Sequence, residues 1–235
     1  MMRLSALVLV AIVAAGLTAD GAIIDVTGDT ADTTIGLNAE GIPGVHWNAA
    51  TTMIIGDDNA AYGKDDVAAV LVFQLPDLGG EDIAAANLGC RMSWGQHAIS
   101  GGVDVYALRY DAGKSVLAAD YGWGQPLTTG GGTLIQDDFV LHGGTSQPLA
   151  TFETDDAADA ALAAWLADIY DAGAVAGDYV FLRFNGDRQS ANSFSLISAN
   201  HATEMKPTLT ITTVPEPATL GVLALGALAV IRRRR

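Results

Sequence analysis

Residues 67–75 constrain the fold more than any other part of this sequence. They read VAAVLVFQL, so eight of the nine residues are apolar. Asp65 and Asp66 precede the run, and Pro76 and Asp77 follow it. An apolar run of this length between turn-forming residues is typical of a strand that is covered on both faces. The rest of the chain must therefore supply enough apolar surface to cover both sides of this strand.

Other short segments of β-forming residues supply that surface. Glycine, aspartate and asparagine separate these segments and favour turns between them. The pattern predicts strands at residues 22–26, 51–55, 67–75, 83–94, 103–110, 133–141, 178–184, 193–198 and 207–213. Between 26 and 51 we predict a long connection without a strand. Strands of this spacing predict a mainly β protein, a jelly-roll-type β-sandwich.

One segment departs from the strand pattern. From 155 to 172 the apolar residues recur at helical spacing, which predicts a single amphipathic helix. Thr154 is the predicted N-cap, and Gly173 follows the predicted end. We expect Trp165, in the middle of the helix, to be a packing anchor.

The N-terminal residues have the composition of a secretory signal. Arg3 is followed by an apolar stretch at 4–17, which is the length expected of a signal peptide rather than of a membrane span. Cleavage after Ala19 is the preferred prediction, and cleavage after Ala22 is the alternative. The domain organisation that follows is a signal peptide at 1–19, a β-sandwich at 20–213 and a C-terminal tail at 214–235.

The tail has three parts. Pro215, Glu216 and Pro217 favour an extended, accessible backbone. Residues 218–231 are uncharged and, as a helix, would extend roughly 21 Å, which is short for a bilayer core of about 30 Å. The last four residues are basic, which favours a cytoplasmic end: Arg232, Arg233, Arg234 and Arg235. The tail is therefore predicted to hold the chain at the membrane through a transmembrane helix, with the bulk of the chain outside.

This order of residues resembles the PEP-CTERM sorting signal of exported bacterial proteins. The resemblance implies recognition and removal by an exosortase, a membrane transpeptidase of bacteria that make extracellular polysaccharide. It also implies a final location at the cell surface or in the extracellular matrix. The alternative is an ordinary C-terminal anchor preceded by a proline turn.

The charge of the domain excludes one class of partner. Without the two ends, seven basic and 26 acidic residues remain, a formal charge of −19, against −15 for the whole chain. Such a surface repels nucleic acid, so no nucleic-acid partner is expected.

Cys90 is the only cysteine. It alternates with Leu88 and Met92 on one face of a predicted strand, so we expect a buried, unreactive thiol.

Two sets of residues are candidates for ligand binding. Asp57, Asp58, Asp65 and Asp66 flank a glycine-containing loop, and carboxylates in loops are ligands that Ca²⁺ prefers. A structural Ca²⁺ is therefore the only cofactor that the sequence predicts, although aspartate is also common in turns without a metal. The second set is aromatic and falls in predicted loops, where the rings either stack on sugars or cap the core: Trp47, Tyr121 and Trp123.

No arrangement of residues indicates catalysis. The four histidines are isolated, and the sequence contains neither an HExxH motif nor a GxSxG motif.

Most of the chain between the two ends resembles a DNRLRE-type domain. The resemblance lies in the segments 31–33, 52–56 and 69–76, the predicted helix with Trp165 and the closing residues 207–211. That family implies a jelly roll similar to an alginate-associated carbohydrate-binding module. We therefore expect a non-catalytic binding or structural module associated with extracellular polysaccharide. The alternatives are a polysaccharide lyase or glycosidase and a purely structural matrix protein.

Overall fold

The computed structural model describes residues 21–37, 42–48, 51–57, 66–95, 100–121, 132–143, 150–186 and 193–214. Within these ranges there are twelve strands, a 3₁₀ turn at Ala118–Tyr121 and one α-helix. The helix, α1, spans Asp156–Asp171. The strands are β1 (Ile23–Thr27), β2 (Thr33–Leu37), β3 (Pro43–Asn48), β4 (Thr52–Asp57), β5 (Asp66–Gln74), β6 (Asp82–Gly95), β7 (Ser100–Asp111), β8 (Thr133–Gly143), β9 (Ala150–Glu153), β10 (Tyr179–Gly186), β11 (Ser193–Ile197) and β12 (Thr208–Val214).

The described strands form one continuous antiparallel sheet that is folded into two layers. The first layer has the order β3-β2-β5-β10-β7-β8. In the second layer β6 pairs with β9, β12 and β11; β12 continues to β1, and β11 continues to β4. The layers are joined where β4 pairs with β5. Leu71 of the first layer and Leu88 of the second belong to one buried core, so the fold is the predicted β-sandwich.

β5 lies at the centre of the fold, as its sequence predicts. Residues 67–73 are all buried, with at most 2% of any residue exposed. Leu71 and Phe73 point into the core between the layers, whereas Val70 and Val72 belong to a second apolar cluster on the outer face. The 3₁₀ turn helps to cover that outer face through Tyr121. Burial on both sides explains why the strand carries almost no polar residue.

Helix α1 packs against the core along one face. Its buried residues are Ala158, Leu162, Ala163, Leu166 and Ile169, and it contacts β6 in one layer and β7 and β8 in the other. Trp165 is partly buried against the same core, which confirms its predicted packing role. Gly173 follows the helix at a φ of 108°, a conformation that favours glycine.

The N-cap of the helix differs from the prediction by one residue. Asp155 caps the helix, since its carboxylate accepts a 2.9 Å hydrogen bond from the backbone N of Ala158. Thr154 is buried and has another role: its hydroxyl accepts from the backbone N of Leu88 at 2.9 Å and donates to the carboxylate of Asp159. Thr154 therefore joins the start of the helix to the middle of β6.

The predicted connection between 26 and 51 is wrong, because it contains β2 and β3. β2 contains Gly36, and β3 begins with Pro43 and Gly44, residue types that are depleted in strands. They form because β2 pairs with the buried strand β5 along Thr33–Gly36, so tertiary pairing outweighs local preference. The four-residue strand β9 was not predicted either, and it forms by pairing with β6. Cys90 is buried as predicted, and this burial raises the pKa of its thiol well above the usual value.

Candidate functional site

The outer face of the first layer carries an ion-pair cluster that the sequence did not reveal. Arg109 on β7 lies opposite Phe181 on β10, and its guanidinium carbon is 3.8 Å from the centre of the Phe181 ring. The same guanidinium donates two hydrogen bonds to the buried carboxylate of Asp120, at 2.8 and 2.9 Å. Paired, planar contacts of this kind hold a guanidinium in one orientation. The pair fixes the 3₁₀ turn, which ends at Tyr121, over the sheet.

Arg183 strengthens the attachment of that turn. It lies two residues along β10 from Phe181 and has no exposed surface. Its Nη1 donates to the backbone carbonyl oxygens of Asp120 and Tyr121, at 3.0 and 2.7 Å, and its Nε donates to Asn185 at 2.8 Å. Burial lowers the pKa of its guanidinium. We interpret this buried cation as a structural clamp that holds Asp120 and Tyr121 of the 3₁₀ turn against β10.

A buried carboxylate, that of Asp32, also holds separate segments of the chain together. The Oδ1 of Asp32 accepts from the backbone N of Val72 at 2.7 Å, and its Oδ2 accepts from the backbone N of Ala199 at 3.0 Å. Burial raises the pKa of Asp32 from 3.8 to about 7, against the lowering effect of these two hydrogen bonds; the negative charge of Asp29 adds to the increase. Asp32 therefore links the loop before β2, strand β5 and the turn after β11.

Three aspartates form the candidate cation site of the described residues. Asp104 on β7 and Asp137 and Asp138 on β8 each offer a carboxylate oxygen, and these oxygens lie within 4.8 Å of one another. Asp104 is buried, and its Oδ1 accepts from the backbone N of Asp138 at 3.0 Å. Asp138 has a φ of 56°, which brings its side chain over Gly102. Hard oxygen ligands of this kind suit Ca²⁺, with water completing its six to eight ligands.

The sequence pointed more strongly to another set of aspartates. Of that set, the backbones of Asp57 and Asp66 are described, and the structure places these residues directly opposite each other at the ends of β4 and β5. Asp58 and Asp65 lie outside the described residues, so the predicted calcium site stays a prediction. The cluster around Asp104 was signalled only by the doublet Asp137-Asp138 and by Asp104 within an alternating strand.

The three candidate sugar-binding aromatics are not brought into one described surface. Tyr121 is only 3% exposed and packs in the outer apolar cluster, so its ring caps the core and offers no free face for stacking. The backbone of Trp47 lies in β3, opposite Thr34, and not in the predicted loop. Trp123 lies outside the described residues. A sugar-stacking surface would therefore depend on Trp47 and Trp123 without Tyr121.

A groove lies where the described chain ends. It has a volume of about 630 Å³ and lies between the turn that joins β5 to β6 and the end of α1, with Leu78, Ile83, Tyr170 and Val175 among its lining residues. Tyr170 donates a 2.7 Å hydrogen bond to the carbonyl oxygen of Pro76, and burial raises its pKa to about 12. Val214 pairs with Asp82 at the rim of the groove. The closing strand therefore reaches the residue immediately before Pro215.

Comparison with known proteins identifies the C-terminal tail. Residues 213–235 match the model of the PEP-CTERM protein-sorting motif. This match covers Pro215, Glu216 and Pro217 and the terminal basic residues, all of which lie outside the described residues. No curated protein matches the chain. Among the described residues, no helix is long and apolar enough to cross a membrane. The motif indicates an exported protein whose tail anchors it in the membrane until an exosortase processes it.

Proposed function

We propose that the sandwich is the cargo of this sorting system: a non-catalytic binding or structural module that acts at the cell surface or in the extracellular matrix. The observation that carries the proposal is the absence of any spacer between fold and motif. β12 is still paired with β6 at Val214, and the matched motif begins at residue 213. Whatever receives the processed C-terminus therefore receives a folded β domain at the point of attachment.

A signal peptide at residues 1–19 completes this proposal. The sorting motif implies export, and the apolar stretch at 4–17 after Arg3 is the segment that suits translocation. In this scheme the signal peptide starts export and the apolar helix at 218–231 stops it. The domain between them stays outside the membrane.

We propose an extracellular polysaccharide as the ligand. The resemblance of the chain to DNRLRE-type domains supports this ligand class, as does the association of exosortase systems with polysaccharide-producing bacteria. The high negative charge of the domain favours a neutral polysaccharide, or an acidic one bridged by cations, because two anionic surfaces repel each other. The aspartate cluster around Asp104 is a candidate for holding a bridging cation.

A glycan array tests the ligand class. The chain from residue 20 to 214, which contains every described residue, is applied to the array once with Ca²⁺ and once with a chelator. In a separate assay the protein is incubated with the same polysaccharides in solution, and the lengths of the polysaccharides are then measured. Binding without depolymerisation is the expected result. Shortening of a polysaccharide would instead establish a lyase or glycosidase. Absence of binding to every glycan would leave the purely structural matrix protein.

Substitution of single tryptophans tests the aromatic surface. Trp47→Ala and Trp123→Ala are expected to weaken glycan binding while the melting temperature stays near that of the parent, because a stacking ring on a surface contributes little to the core. Trp165→Ala is the matched control, since Trp165 packs against the core. We expect this control to lower the melting temperature and to preserve binding below that temperature. If Trp47→Ala and Trp123→Ala lower stability as much as the control does, these rings are core caps.

Two aspartate variants separate the candidate calcium sites. Asp104→Asn removes a carboxylate of the described cluster, and Asp57→Asn removes one from the doublets that the sequence singled out. Each variant and the parent are titrated with Ca²⁺ by calorimetry. If Asp104→Asn alone loses Ca²⁺ binding, the ion is assigned to β7 and β8. If Asp57→Asn alone loses it, the ion is assigned to the segment between β4 and β5. Absence of heat from the parent would refute both sites.

A further inference from the structure

The groove between the β5–β6 turn and the end of α1 combines apolar surface with acidic side chains. Its apolar residues include Leu78, Ile83 and Tyr170, which pack against the core, and Val175, which is exposed. Four of its twelve lining residues are acidic, whereas 26 of the 195 residues from 20 to 214 are acidic. The groove is therefore more acidic than the domain as a whole, and its acidic residues are Asp77, Glu81, Asp82 and Asp171.

No basic residue in the described part of the chain neutralises these carboxylates. The described arginines pair with acidic residues outside the groove or lie buried beneath the 3₁₀ turn. Lys114 pairs with Asp29. Lys206 precedes β12, whereas the groove lies at the other end of that strand, near Val214. A positively charged ligand would therefore meet the four carboxylates without displacing a cation of the described chain.

Hydrogen bonds hold the two sides of the groove in fixed positions. One side is the turn from β5 to β6, and the other is the end of α1 with the residues that follow it. The hydroxyl of Tyr170 donates to the carbonyl oxygen of Pro76 at 2.7 Å, and the backbone N of Gly177 donates to the carbonyl oxygen of Leu75 at 2.9 Å. Both bonds connect the two sides. Because the groove is already ordered, binding a ligand costs little conformational entropy in the protein.

The backbone around the groove is already hydrogen-bonded. The backbone N–H groups of Gly79 and Glu81 on one side, and of Val175 and Gly177 on the other, all donate to acceptors within the domain. An extended peptide that binds by strand addition needs free backbone groups on its partner. The groove instead offers carboxylates beside apolar surface. A ligand that fits this surface carries positive charges and has apolar faces.

We propose that the groove binds the amino sugars of an extracellular polysaccharide, that is, sugars whose amino groups are free and positively charged. This inference rests on the proposed function of the domain as a polysaccharide-binding module, and it names the kind of polysaccharide and the site. Ammonium groups form charge-assisted hydrogen bonds with carboxylates. The C–H faces of the sugar rings pack against the apolar residues, among them Tyr170. The volume of the groove, about 630 Å³, lies within the range of small-molecule sites.

The net charge of the domain is consistent with this ligand. A formal charge of −19 repels acidic polysaccharides and attracts a polymer that carries free amines. Charge attraction of this kind acts over the whole surface, whereas the groove adds a defined site. The experiment must therefore separate binding in the groove from general attraction to the acidic surface.

Two matched oligosaccharides test the class of ligand. A tetramer of glucosamine and a tetramer of N-acetylglucosamine have the same rings and linkage, and only the first carries positive charges. Each is titrated by calorimetry into the full-length protein, which is kept soluble in an uncharged detergent, at about pH 5.5, where free amines are protonated. We expect the glucosamine tetramer to bind several-fold more tightly than the acetylated one. Salt at about 0.5 M should reduce this difference, because it screens exposed charges.

A double variant tests the site. Asp77→Asn combined with Asp171→Asn removes one carboxylate from each side of the groove, and both residues are exposed. Loss of one exposed ion pair weakens binding by about 1.4- to 5-fold, so we expect affinity for the glucosamine tetramer to fall by about 2- to 25-fold. The melting temperature should stay near that of the parent.

A second double variant is the matched control. Glu153→Gln combined with Asp156→Asn also removes two exposed carboxylates, but at the start of α1, roughly 22 Å along the helix from Asp171. We expect this control to bind the glucosamine tetramer as the parent does. An equal loss of affinity in the control would show general attraction to the acidic surface and would overturn the site.

A cation placed in the groove gives an independent test. Val175 is 59% exposed, so Val175→Lys is compatible with the fold and supplies a positive charge beside the carboxylates. We expect this variant to bind the glucosamine tetramer several-fold more weakly than the parent. Val175→Thr keeps the branched shape without a charge, and it should bind as the parent does.

Three results would overturn the proposal. The first is equal binding of the two tetramers, and the second is a groove variant that binds the glucosamine tetramer as the parent does. The third is a lysine tetrapeptide that binds more tightly than the sugar and is weakened by the same groove variants, since the groove would then fit a basic protein partner. Failure of the underlying function would look different: the glycan array would then show no binding to any polysaccharide, neutral or charged.

Discussion

Asp32 should make the stability of the domain depend on pH in a predictable direction. Its carboxyl is buried and carries a pKa of about 7 in the folded protein, compared with 3.8 as the ordinary value. A group with a raised folded pKa binds its proton more tightly in the folded state. Its stabilising contribution is therefore complete below about pH 4 and is lost as the pH rises towards 7.

The size of the effect follows from the two pKa values. At about 1.4 kcal/mol for each pH unit between them, the free energy of unfolding should fall by about 4 kcal/mol between pH 4 and pH 7. The remaining contribution of Asp32 is lost by about pH 8, one unit above its folded pKa, and does not change beyond that.

Asp32→Asn isolates this contribution. The amide cannot titrate, so the difference in unfolding free energy between parent and variant should change by up to about 4 kcal/mol from pH 4 to pH 7. Over this range the parent should become less stable relative to the variant. Urea unfolding of the chain from residue 20 to 214 at half-unit pH intervals measures that difference. Asp77→Asn, at an exposed turn, controls for the loss of one negative charge. A difference that stays constant with pH, or that changes in the opposite direction, would refute the reasoning.

Two further variants test other parts of the fold. Thr154→Val keeps the shape of the side chain but leaves the backbone N–H of Leu88 buried without its acceptor. We therefore expect the free energy of unfolding, measured with urea, to fall by about 1–3 kcal/mol. An unchanged urea midpoint would show that another acceptor replaces the hydroxyl. Gly102→Ala places a Cβ against the carboxylate of Asp138, so we expect a loss of about 1–3 kcal/mol, or roughly 2–12 °C in melting temperature. A melting temperature equal to that of the parent would mean that Asp138 can move away without cost.

The sequence predicted the parts of the fold that local pattern determines. Residues 67–75 could only be a doubly covered strand, and the spacing of 155–172 could only bury one helical face. β2 and β3 were missed because the glycines and the proline in these two segments favour a turn, and because β2 forms by pairing with the distant strand β5. Local pattern also placed Thr154 at the cap, although its hydroxyl is needed by β6, which lies 66 residues away in sequence.

Functional residues were harder to predict than strands. The tail is read as a linear motif, so its identification needs no folding and was confirmed by the family match. The cluster of Asp104 with Asp137 and Asp138 depends on the register of two strands and on one residue with a positive φ, and neither is encoded in a local pattern. Arg183 appeared as a charge in an apolar strand, and only the fold shows that the 3₁₀ turn accepts its hydrogen bonds.

The pairing of Ala22 with Thr213 has a consequence for the kinetics of folding. It joins residues that are 191 positions apart, so β1 cannot find its partner until almost the whole domain is available. Proteins dominated by such distant contacts have high contact order and fold slowly, on a scale of milliseconds to seconds. During translocation the tail follows β12 within two residues. We therefore expect the apolar segment at 218–231 to reach the membrane while the sandwich is still open, so that the final closure of the sheet takes place on a chain that is already anchored.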